Sequence, residues 1–241
     1  MARFVLVHGA YGGAWCWDAV RPQLEAAGHT VETLDLPGSG DDQTPVEGVT
    51  LESCAGRVCD VLRSRREPAI LVGHSMGGVI VTQAANDCPE RVASLVYVCA
   101  FMPASGQSLL DLTHLPEAAG DQIQANLVLE GDPPVARLSD EAVAEAIYNC
   151  CSPEQTELGV ARNRPQPAAP FATPVAIEDE ALAKIPRSYV LATKDQSIPP
   201  ELQRRMISEH PCLRVVELDT DHAPYLSATD DLVAALLDFA S

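Results

Sequence analysis

The sequence predicts an α/β protein: a mostly parallel six-stranded sheet flanked by helices, with a mainly helical cap inserted after the fourth strand. Three observations predict it. Short apolar runs alternate with segments of helical periodicity. Several of those runs, such as Phe4 to Val7 and Ala69 to Val72, are apolar at every position, as strands covered on both faces are. The rhythm then lapses between about residues 104 and 186 and resumes afterwards.

Taken in order, Phe4 to Val7 is the first strand. It runs into His8-Gly9-Ala10-Tyr11-Gly12-Gly13, a glycine-rich turn, and Trp15 to Ala27 has helical spacing up to Gly28. Thr30 to Leu36 is the second strand, stopped by Pro37-Gly38-Ser39-Gly40. Leu51 to Arg65 carries apolar residues at 51, 54, 55, 58, 61 and 62, which fall on one helix face. Ala69 to Val72 is the third strand, followed by Gly73-His74-Ser75-Met76-Gly77-Gly78 and a helix to about Asn86; Leu95 to Cys99 is the fourth. Residues 104 to 186 hold scattered helical pieces, Asp140 to Asn149 the clearest, and a proline-rich return from Pro165 to Pro174. Ser188 to Thr193 and Leu213 to Leu218 supply the last two strands, Glu201 to Ser208 and Asp230 to Ala240 the last two helices. The expected organisation is therefore a core of residues 1–103 and 187–241 with a cap of residues 104–186.

Composition narrows the function. Sixteen Lys and Arg against 34 Asp and Glu give a formal charge of −18. A chain so acidic is a poor match for phosphate backbones or anionic lipid surfaces, so neither nucleic acid nor membrane is an expected partner. Only two of the basic residues are Lys, a usage that points to a GC-rich genome. The N-terminal apolar run is too short for a signal peptide and no apolar stretch reaches 18 residues, which predicts a cytoplasmic protein. Eight cysteines lack the paired spacing of zinc sites and the density of a disulfide scaffold, and read as free thiols. No metal or organic cofactor is expected.

Gly73-His74-Ser75-Met76-Gly77 has the G-x-S-x-G pattern in the one context that gives it mechanical meaning, between an apolar strand and an apolar helix. There the turn lifts a serine hydroxyl above the sheet; the competing reading is a plain helix N-cap. A serine nucleophile needs a base, and the base needs an orienting acid. Of six histidines, only His222 follows the last strand, where the base of such folds stands. Asp195, at the end of the preceding strand, is the preferred acid, with Asp219 and Asp221 as rivals in the loop of the base itself. The backbone N–H groups of Met76, after the nucleophile, and Ala10, after the first strand, are the expected oxyanion donors. Tyr11, Trp15, Phe101, Met102 and His74 are the expected substrate-pocket residues, although Trp15 and Trp17 could instead anchor the first helix.

These residues resemble the α/β-hydrolases, and within them the plant methylesterase and hydroxynitrile lyase group with its bacterial esterase relatives. The likeness runs over nearly the whole chain. Its most specific pieces are Val5 to Ala10 with Gly13-Ala14-Trp15-Cys16-Trp17, Gly73 to Gly78, Ala100-Phe101-Met102-Pro103, Asp195 with Ile198-Pro199, Asp221-His222, and Tyr148 to Glu154 in the insertion. The resemblance implies an α/β-hydrolase fold, Ser75, His222 and Asp195 as a triad, Ala10 and Met76 at the oxyanion hole, and residues 104–186 as a cap over the substrate. The lyases of the group carry a hydroxyl residue where Ala10 stands and a lysine where Ala223 follows the base, so an esterase acting on a small-molecule ester is favoured. Lactone or amide hydrolysis, acyl transfer, carbon–carbon cleavage, or a non-catalytic ligand binder are the alternatives; the sequence is silent on oligomeric state.

Overall fold

The computed structural model describes residues 1–241, the side chains at 179 and 181 excepted. Among the described residues, nine strands and twelve α-helices follow in chain order. β1 (Arg3–Val7), α1 (Arg21–Ala26), β2 (Thr30–Leu34), α2 (Leu51–Arg63), β3 (Ala69–His74), α3 (Gly77–Asp87) and β4 (Val92–Val98) form the first half. The central segment holds α4 (Leu109–Thr113), α5 (Gln122–Asn126), β5 (Val128–Glu130), β6 (Val135–Arg137), α6 (Asp140–Ile147), α7 (Pro153–Arg162), β7 (Gln166–Pro167), α8 (Ala169–Ala172) and α9 (Asp179–Leu182). β8 (Arg187–Ala192), α10 (Pro200–Glu209), β9 (Arg214–Leu218), α11 (Pro224–Ser227) and α12 (Thr229–Phe239) complete the chain.

Six strands form one sheet in the order β2-β1-β3-β4-β8-β9, every neighbouring pair parallel. β1 and β3 are buried along their whole length, so helices cover both faces of the sheet's centre. α2 packs against α3, and α1 against α12. The face of α2 toward the core is the one its spacing predicts: Leu51, Cys54, Ala55, Val58, Cys59 and Leu62 are buried, and a reciprocal cap between Thr50 and Ser53 starts the helix.

Two expectations need correction. The single helix over residues 15–27 is split into a 3-10 turn (Ala14–Trp17) and α1, because Pro22 has no N–H to donate and is accommodated only in a first turn. The second strand ends at Leu34 and the fourth begins three residues early, at Val92. The insertion, mainly helical as the sequence reads, also holds a small antiparallel sheet of β5, β6 and β7 that the spacing did not show. With two or three residues per strand, and β5 exposed at every position, it leaves no alternation to read.

The strand order reverses between β1 and β3, the place where open α/β sheets bind their ligands. Register then fixes what meets there. Val7 is opposite Gly73, so the loop holding Gly9 and Ala10 rises beside Ser75 and Met76. Ala192 is opposite Leu218, so Asp195 and His222, three and four residues further on, leave the same edge side by side.

Candidate active site

Ser75 occupies the junction of β3 and α3 with φ at +55°, a left-handed conformation that a side chain rarely adopts. The sharp turn depends on Gly73, where a Cβ would lie 2.6 Å from the carbonyl oxygen of Gly77. Ser75 accepts through its own carbonyl from Gly78 N–H (3.0 Å) and Phe101 N–H (3.2 Å), which ties the turn to the start of α3 and to the strand end beyond β4. Gly9 lets the loop after β1 come close: a Cβ there would lie 2.6 Å from the Ser75 Cβ. Ala10 and Met76 line the same cleft as Ser75, and the Met76 N–H is among those a helix start leaves without an intrahelical partner.

His222 Nδ1 is 2.7 Å from Asp195 Oδ2, with both side chains almost fully buried. The Asp195 carboxylate also accepts from the N–H groups of Ser197 and Ile198, each at 2.8 Å, and from Gln203 Nε2 at 3.0 Å. Four donors on one carboxylate hold it fixed in place. The rivals go elsewhere. Asp219 is exposed and pairs with Lys194, while buried Asp221 accepts from Cys150 N–H (2.6 Å), Ala223 N–H (3.0 Å) and Ser227 Oγ (2.6 Å).

The other histidines on this edge are neutral and have readable tautomers. His74 Nε2 is 2.7 Å from the His222 carbonyl, which can only accept, so Nε2 carries the proton. Burial, then the His222 charge, hold its pKa well below the ordinary value, and its Nδ1 is a buried acceptor with no partner among the described residues. His8 donates from Nδ1 to the Gly9 carbonyl and accepts Leu36 N–H at Nε2, pinning the end of β1 to the end of β2; burial lowers its pKa too.

Tyr11, His74 and Phe101 line the cleft together with Ser75 and His222. Trp15 and Met102 do not. Trp15 stands edge-on to Tyr225 at 6.3 Å with the Arg162 guanidinium over its ring, and Met102 is buried against Met206. Sequence reasoning missed Tyr225, shortly after His222, and Asp121, Tyr148 and Asn163 from the insertion. The Tyr148 to Glu154 stretch was the only signal for any of these. Asp121 caps α5 through Gln124 N–H, and burial pushes its carboxyl up to about 6. Among the described residues no cluster of His, Cys, Asp and Glu is arranged to hold a metal ion.

The geometry is that of a serine raised at a strand–helix turn, a buried imidazole–carboxylate pair, and a glycine-containing loop lining the same cleft. The profile of the alpha/beta hydrolase family matches residues 4–236. The chain belongs to that family. This alpha/beta hydrolase is 34% identical to methylesterase 7 of Arabidopsis thaliana, over 99% of the chain and 96% of the relative. Among solved structures, polyneuridine aldehyde esterase superposes with a TM-score of 0.89 at 28% identity, covering all of both chains. A pyrethroid hydrolase from Sphingobium faniae gives 0.87 at 30% identity, covering 99% of this chain and 97% of the other.

Proposed function

We propose that this alpha/beta hydrolase is a serine esterase that cleaves the carboxylic ester of a small, apolar or aromatic molecule through an acyl-enzyme. The observation that carries the reading is the buried 2.7 Å contact between His222 Nδ1 and Asp195, in the cleft that Ser75 lines. The methylesterase and esterase relatives support it. Ser75 Oγ attacks the ester carbonyl carbon as His222 Nε2 takes its proton, and Asp195 stabilises the imidazolium. The oxyanion is held by the N–H groups of Ala10 and Met76. Collapse of the tetrahedral intermediate breaks the bond to the alkoxy oxygen, which takes the proton from His222 and departs as an alcohol. Water, deprotonated by His222, then releases the acid and restores Ser75.

Residues 104–186 act as a cap over this cleft and select the substrate, a role supported by Asp121, Tyr148 and Asn163 reaching the cleft from that segment. The core is residues 1–103 and 187–241. Eight free cysteines, five of them buried, fit a reducing cytoplasm, and the scarcity of Lys fits a GC-rich bacterial genome. No described helix is long and apolar enough to cross a membrane.

The test is labelling with a fluorophosphonate followed by mass spectrometry, alongside a panel of p-nitrophenyl acyl esters and aryl methyl esters. A single adduct on Ser75 with ester turnover is expected. Ser75→Ala should abolish labelling and lower kcat by about 10³-fold or more while the far-UV circular dichroism is unchanged. Turnover near wild type in that variant would overturn the mechanism.

A further inference from the structure

The wall of the cleft is largely apolar, yet several polar side chains on it have no part in the mechanism above, Tyr11, Asn163 and Asp121 among them. Tyr11 Oη and Asn163 Oδ1 are both buried and make no hydrogen bond to any described residue. A buried polar atom without a partner costs free energy, and such atoms persist where something other than the protein satisfies them. Both residues line the cleft, and Arg164 N–H donates to the Tyr11 carbonyl at 3.0 Å, which brings the segment holding Asn163 alongside the loop after β1. Tyr11 is itself held at φ +62°, a conformation in which a bulky residue is strained, and strain of this kind collects where a side chain is aimed for use. Asp121 stands 7% exposed in the same cleft, with Oδ1 engaged by Gln124 N–H. Burial, and after it the Asp121 charge, push the Tyr11 phenol up, so it stays protonated and a donor.

We propose that Tyr11, Asn163 and Asp121 form a polar subsite that binds a hydroxyl group carried by the substrate apart from its scissile carbonyl. This rests on Ser75 being the nucleophile of an ester hydrolase. A hydroxyl matches the three groups: its oxygen accepts from Tyr11 Oη–H, and its hydrogen is donated to Asn163 Oδ1 or to the Asp121 carboxylate. A carboxylate does not match, since Asp121 and a chain of charge −18 repel it. An ammonium group would pair with Asp121 but could not accept from Tyr11.

The experiment compares kcat/KM for p-nitrophenyl alkanoates of four to eight carbons with their ω-hydroxy and ω-amino counterparts. Acetate esters of simple alcohols and of the matching diols probe the alcohol side. The subsite predicts that the hydroxylated ester is preferred by about tenfold or more at one chain length, on one side of the ester. Tyr11→Phe and Asn163→Ala should each bring that ratio to within about twofold of one. Ester turnover with no preference at any length would mean that water satisfies these groups, and would overturn the subsite while leaving the esterase reading intact. A larger preference for the ω-amino esters would overturn it in favour of a cation site, and an unchanged ratio in both variants would overturn the residues assigned. No turnover of any ester and no Ser75 adduct would remove the esterase reading and the subsite together.

Discussion

Ser75 and Tyr11 share a left-handed backbone, at +55° and +62°, and each spends that strain on aiming a side chain into one cleft. Ser75, Asp195 and His222 were legible in the sequence because each follows an apolar strand, so their convergence is a property of the sheet's edge. Asp121 and Asn163 were not legible, since they come from a segment without a period, and an acidic residue before Gln122-Ile123-Gln124 reads as an ordinary cap. Asp121 yields a prediction of its own. Its folded pKa of about 6 lies above that of an ordinary carboxyl, so the native state binds the proton more tightly, and ionisation at neutral pH weakens the fold. Asp121→Asn, which keeps a good cap, should be more stable than the parent by up to about 3 kcal/mol above pH 7. That advantage should shrink as the pH falls from about 6 toward 4, where the parent carboxyl is protonated too. Urea unfolding of both proteins at pH 8 and pH 4 measures it, and an equal difference at the two values would refute it.

At the level of elements, the strands of the main sheet were readable and the joints between elements were not. Pro22 broke a helix that periodicity alone would have continued, and the small sheet of β5, β6 and β7 lies below the length at which alternation carries information. The turn from β3 to α3 was readable through its glycines, and its tolerance can be tested there. Gly73→Ala places a methyl 2.6 Å from the Gly77 carbonyl oxygen, a backbone atom that cannot swing aside. A loss of about 3 kcal/mol is expected, at the upper end for overpacking, measured by urea unfolding with esterase activity followed in parallel; a neutral variant would mean that the turn relaxes. The seam beside His222 went unnoticed in the sequence, where Asp221 entered as a rival acid and as part of the Asp221-His222 pair. In the fold its carboxylate gathers Cys150 N–H, Ala223 N–H and Ser227 Oγ, joining the link between α6 and α7 to the loop of the base. Asp221→Ala strands the Cys150 and Ala223 N–H groups, while Ser227 Oγ still reaches the Ala223 carbonyl at 3.0 Å. It should cost about 3 kcal/mol or more and reduce kcat in the molecules that remain folded; stability equal to the parent's would show that the seam bears no load.

For the molecule as a whole, the charge of −18 was plain in the sequence, but its consequence depends on how little of it is neutralised. The described ion pairs lie mostly between exposed side chains, and such pairs contribute little each. Net repulsion should therefore dominate, and raising NaCl from about 10 to about 150 mM, which shortens the screening length from about 30 to about 8 Å, should raise the thermal midpoint. A fall would mean that the ion pairs outweigh the repulsion. Substrate range in a protein like this invites exchange of residues 104–186 for a relative's segment, as though it were a cassette. The hydrogen bonds argue for different cut points: Ser197 Oγ holds the Ala146 carbonyl at 2.8 Å, Asn149 Nδ2 holds Lys194's at 3.1 Å, and Gln155 Nε2 holds Leu226's at 2.6 Å. A transplant that replaces residues 146–155 would exchange the specificity wall and unfasten both halves of the acid–base pair in the same step, whereas one that keeps this stretch as part of the host could alter selectivity and leave catalysis standing.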